Sequence, residues 1–130
     1  ALETYNNDKG TYPIGDAEGR IKGCAPDGIT ACDWGDMFQA DDDGAIYMIN
    51  LPAEAKSARR YVYISTDGTY YQLYARLENT LDSDIPKNAQ DEARVFTDLD
   101  CSSAGADVYC NYGVASTNKE VEDGRTVAYE

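Results

Sequence analysis

The sequence predicts an α+β domain, in which a truncated N-terminal helix rests on an antiparallel sheet of about three to five strands. Two stretches carry that prediction. ALETYNNDKGTYP sets Leu2 and Tyr5 one turn apart and then runs into helix-ending residues, and RRYVYISTDGTYYQLYARLEN holds two alternating runs on either side of Asp67-Gly68. With 130 residues the chain has room for a single domain with a real core, small enough for cross-links to matter.

The opening helix is read over residues 1–9 as a helix end without a beginning. Gly10 suits the left-handed residue just past a helix, and Tyr12 before Pro13 is pushed to extended geometry, so little helix survives beyond Asp8. Residues 10–45 are rich in Gly, Asp and Ala with isolated apolar positions, and read as a long connecting loop. A loop of that length needs a pin.

Residues 46–78 form the expected sheet core. AIYMINLP is a strand or a short helix stopped by Pro52, and period does not separate the two. In the hairpin that follows, Asp67-Gly68 supplies the turn. Val62, Ile64, Leu73, Ala75 and Leu77 are expected to share one face under the opening helix. Residues 79–130 are expected to supply an acidic loop broken at Pro86, a short strand in DVYCNYGVAS and an edge strand or tail in RTVAYE.

Four cysteines, no C-x-x-C pair and no histidine argue against zinc or thioredoxin-like chemistry and for disulfides in an oxidising compartment. Three pairings exist, and the simplest is two local loops: Cys24 with Cys32, the pin for the long loop, and Cys101 with Cys110. The net charge of -13 repels phosphate backbones and anionic membrane surfaces, which sets nucleic acid aside as a direct partner. No apolar run is long enough to span a membrane.

Without histidine, a Ser or Cys nucleophile lacks its commonest base, so the chain reads as a non-enzyme. Calcium is the one cofactor the acidic loops admit, because hard cations need several oxygens at short spacing. Asn79, Asp82 and Asp84 form one candidate set, with Asp82 and Asp84 on the same side if the chain is extended there. Asp41, Asp42 and Asp43 form a second set. Eleven tyrosines suit half-exposed strands, with a carbohydrate-stacking platform as the alternative.

ALETYNNDKGTYP resembles the end of the long N-terminal helix of type IV pilins and type II secretion pseudopilins, where an (A)LExYxxDxGxYP stretch leaves the helix. YMINLPAEAKSARRYVYISTDGTYYQLYARLEN (47–79) is similar to the LPxDPxxxxxYxYxxxxGxxYxLxAxLE block of the same families. Ala53-Glu54-Ala55 departs from it where an Asp-Pro pair is common, and the Cys101–Cys110 loop matches in position a Cys-bounded loop of many pilins. The resemblance covers about a third of the chain, residues 1–13 and 47–79. It implies an exported structural subunit of a type IV pilus or pilin-like filament that assembles through its N-terminal helix. The implied partners are other copies of itself and the pilus or secretion machinery, with the membrane met only through an upstream helix missing from this chain. Lys56, Arg59 and Arg60 against acidic loops are expected to help set subunit register. The alternatives are a type II secretion pseudopilin, or an extracellular calcium- or carbohydrate-binding module.

Overall fold

Helix-ending residues act as the sequence suggests in α1 (Leu2–Lys9), where Gly10 takes φ 75° and its N–H donates to Asn6 O at 2.8 Å. The computed structural model describes residues 1–25, 27–40, 44–51, 53, 59–102 and 108–130. Tyr5 is the buried residue of α1. It stacks on Phe38 at 5.6 Å and meets Tyr47 edge-on at 5.1 Å, while the Tyr47 hydroxyl donates to Asp8.

Beyond the helix come β1 (Ile14–Gly15), β2 (Ile21–Cys24), β3 (Thr30–Ala31), β4 (Phe38–Gln39) and β5 (Ile46–Met48). The first three form one antiparallel sheet in the order β1-β2-β3, and β4 pairs with β5. The long connecting loop expected over 10–45 is therefore built of short strands. They are two to four residues long, below the length at which alternation becomes visible. AIYMINLP resolves to a strand at β5.

The central sheet has the order β10-β7-β6, from β6 (Val62–Ile64), β7 (Gln72–Ala75) and β10 (Tyr112–Ala115). A third sheet, β11-β8-β9, holds β8 (Arg94–Asp100) between β9 (Tyr109–Cys110) and β11 (Val127–Tyr129). The segment read as an acidic loop thus contains the longest strand among the described residues. DVYCNYGVAS supplies two strands that enter different sheets.

The α+β expectation is overturned. Among the described residues there are eleven strands in four small antiparallel sheets and one helix of eight residues, too short to form a layer over a sheet. What covers the central sheet is mainly other β structure, on both faces.

The expected hairpin face is also corrected. Val62 pairs with Tyr74, Tyr63 with Leu73 and Ile64 with Gln72. Directly paired residues share a face, so Val62 and Ile64 lie with Tyr74 and Gln72, and Leu73 lies with Tyr63. Both faces are buried. Tyr63 joins Tyr5, Ile21, Phe38 and Leu51 in one cluster, with Leu2, Trp34 and Tyr71 packed against it. Val62 and Tyr74 join Phe96, Leu99, Cys101 and Cys110 in the other. Tyr5, Tyr12, Tyr63 and Tyr74 are core residues, while the other seven tyrosines are half-exposed or exposed, four of them on strands at Tyr47, Tyr109, Tyr112 and Tyr129.

Polar anchors fasten the joint between α1 and the central sheet. The Tyr63 hydroxyl donates to Pro13 O at 2.8 Å, and Tyr12 N and Thr11 Oγ1 both donate to Gly68 O. Gly68 has φ 81° and a Cβ there would lie 1.9 Å from Thr11 Oγ1, so only glycine fits beneath this strap.

Candidate functional site

Disulfides join Cys24 to Cys32 and Cys101 to Cys110, and no cysteine is free. Two cross-links are compatible with an oxidising compartment. Among the described residues no helix is long and apolar enough to cross a membrane.

The acidic set at 79–84 does not lie in extended chain. Asn79 Oδ1 accepts from Leu81 N at 3.1 Å, and Asp82 Oδ1 accepts from Asp84 N at 2.9 Å, which makes the segment a run of side-chain-capped turns. The Lys87 ammonium donates to Asp82 O and Ile85 O, taking backbone carbonyls that a cation in this loop would use. Asp41, Asp42, Asp43 and Lys56 lie outside the described residues. Arg60 donates to Asp100 O at 3.0 Å and to Glu18 O at 2.7 Å, so its guanidinium ties the fold together. Among the described residues, no three His, Cys, Asp or Glu side chains come together as a metal cage.

A cleft of about 400 Å³ opens beside the first turn of α1. Leu2 and Glu3 come from the helix, Trp34 from the turn after β3, Phe38 from β4, and Tyr61, Tyr71 and Leu73 from the central sheet and its flanks. The backbone N–H of Leu51 donates to Asp36 O at 2.6 Å, holding two of its walls together. A cleft of this size falls within the range typical of small-molecule sites.

Its described walls combine aliphatic side chains with the aromatic Trp34, Phe38, Tyr61 and Tyr71. Trp34 and Tyr61 meet edge to face, with centroids 5.3 Å apart and planes 70° apart. Tyr71 stands edge-on to Tyr12 at 5.0 Å and stacks near Tyr63 at 6.2 Å. Glu3 brings the one carboxylate among the described lining residues, and its two oxygens accept the Tyr12 hydroxyl at 3.0 and 3.2 Å. Burial raises the Tyr71 phenol pKa, and the Glu3 charge adds to the rise; Tyr12 is raised by burial and then by its bond to Glu3. Trp34 Nε1 is buried and has no hydrogen-bond partner among the described residues.

Asn79, Asp82 and Asp84 do not line this cleft. Its residues are spread from position 1 to position 73, so no local motif announces it. The one usable signal was the single tryptophan of a tyrosine-rich chain. No family model, curated protein or solved structure matches this chain.

Proposed function

We propose that this chain is the exported head of a non-enzymatic structural subunit of a type IV pilus or related pilin-like filament, joined to neighbouring subunits through a helix that ends in α1. The observation that carries the reading is the joint at residues 1–13. There a helix stops at left-handed Gly10, and the chain then runs through Tyr12 and Pro13 into β1, tied to the β6–β7 hairpin at Tyr63 and Gly68. A filament subunit needs such a joint because force along the helix must reach the head through a fixed connection. The reading rests on this joint and on the motif that forms it, and takes nothing from the sheet architecture. The two disulfides suit an exported protein, and the charge of -13 keeps neighbouring heads from non-specific contact.

The test begins with the reading frame upstream of Ala1, where a short basic leader and about 20 apolar residues are expected. An epitope-tagged full-length chain is then expressed in its source cells, and the sheared surface fraction is imaged with gold-labelled antibody. Gold along filaments is the expected result. A reading frame without the apolar segment, together with tagged protein recovered only as a free monomer, overturns the proposal in favour of a free extracellular module. Gold confined to the cell envelope, with loss of protein secretion on deletion, moves it to the secretion pseudopilin.

A further inference from the structure

We propose that the cleft beside α1 binds a small organic cation carrying N-methyl groups, of the quaternary ammonium class. The inference is independent of the filament reading.

The argument is one of matching chemistry. Quaternary ammonium groups form no hydrogen bonds and are held by aromatic faces, whose negative quadrupole meets the spread positive charge. Trp34, Tyr61 and Tyr71, all partly exposed, supply aromatic surface to one cleft, with Phe38 wholly buried behind them. The 70° angle between Trp34 and Tyr61 makes a corner, so a rounded cation there meets two rings together. Glu3 adds a full negative charge at the same cleft. The Tyr12 hydroxyl that donates to it fixes the carboxylate without cancelling its charge.

Other ligand classes fit less well. A fatty acid or a phosphate ester brings an anion to Glu3 in a protein already at -13. A sugar needs several polar side chains beside its stacking ring, and among the described residues the lining apart from Glu3 and the tyrosines is Ala, Leu, Ile, Trp, Phe and Met. A hard metal ion needs an oxygen cage, and the one carboxylate among the described lining residues does not make one. A neutral apolar ligand would leave Glu3 unused. An organic cation uses both halves of the site.

The site carries its own reporter, because Trp34 is the only tryptophan in the sequence. Oxidised protein is titrated with choline chloride, exchanged against sodium chloride at constant ionic strength, and Trp34 emission is followed. The neutral alcohol in which carbon replaces the choline nitrogen is titrated in parallel. The expected result is a saturable response to choline, with the neutral alcohol weaker by about tenfold. Glu3→Gln, on an exposed side chain, is expected to weaken choline by about fivefold while the circular dichroism spectrum stays unchanged. Ligand-observed NMR gives a second reading, in which ring currents shift the choline methyl signal when it binds. Three results overturn the proposal: no saturable response to choline by either method, equal binding of the neutral alcohol, or full choline affinity in a folded Glu3→Gln protein.

Discussion

Titration from about pH 9 to about pH 12 crosses the ordinary phenol pKa of roughly 10 and asks Tyr63 and Tyr74 to ionise inside two packed cores. Both side chains are fully buried, and burial pushes both phenols well above the ordinary value. Below the unfolded pKa both states hold the proton, and the two tyrosines contribute their full stability. Above it the unfolded chain releases protons that the folded chain retains, so stability falls as pH rises. The slope is about 1.4 kcal/mol per pH unit for each tyrosine, or roughly 3 for the pair. Two units therefore remove about 5–6 kcal/mol, comparable with the whole stability of many small domains. Urea unfolding followed by circular dichroism at each pH measures the slope, and tyrosinate absorbance shows when each class of phenol ionises. Tyr63→Phe or Tyr74→Phe is expected to reduce the alkaline slope by about 1.4 kcal/mol per pH unit. Each also costs about 1–2 kcal/mol at neutral pH, because the Pro13 or Val121 carbonyl loses its donor. The reasoning fails if all eleven tyrosines ionise together near the ordinary pKa while the protein stays folded. It fails equally if the double Phe variant keeps the wild-type slope.

Asn111 is fully buried and clamps Leu77, accepting from its N–H at 2.8 Å and donating to its carbonyl at 3.0 Å. Asn111→Leu strands both backbone groups, and the expected loss is about 2–4 kcal/mol, seen as a fall of roughly 10 °C in a thermal melt; a melt within about 2 °C of wild type contradicts the clamp. Replacing Cys101 and Cys110 together by Ser removes a cross-link inside the second core and is expected to cost about 2–3 kcal/mol. Peptide mapping of the unreduced wild type should return the two local pairs, and a Cys24–Cys110 peptide contradicts the structure.

What was legible in the sequence was local. The helix stop depends on Gly10 and Pro13 alone, and a short cysteine loop depends only on its own residues. The β6–β7 hairpin is legible as a hairpin, but alternation groups Leu73 with Val62 and Ile64, whereas the pairing sets it opposite Tyr63. Alternation marks a face only when the other face meets water, and here Tyr63 and Tyr74 are both in cores on opposite sides. β8 was hidden by its polar residues, whose partners are distant in sequence. Arg94 reaches Glu122 at 3.0 Å, and Asp98 holds Arg125 and the Thr126 N–H. The cleft was illegible for the same reason, since helix, turn and sheet bring its walls together only in the folded chain.

The placing of β8 between β9 and β11 also imposes a timetable. Both neighbours of Arg94–Asp100 are made after it, and the last, Val127–Tyr129, lies about 30 residues downstream. At ordinary synthesis speeds that is a wait of roughly 2–6 s, during which Phe96 and Leu99 have no finished core to enter. β10, the outer strand beside β7, arrives equally late. An emerging chain of this sequence therefore leaves β8 without its outer partner until β11 has been made.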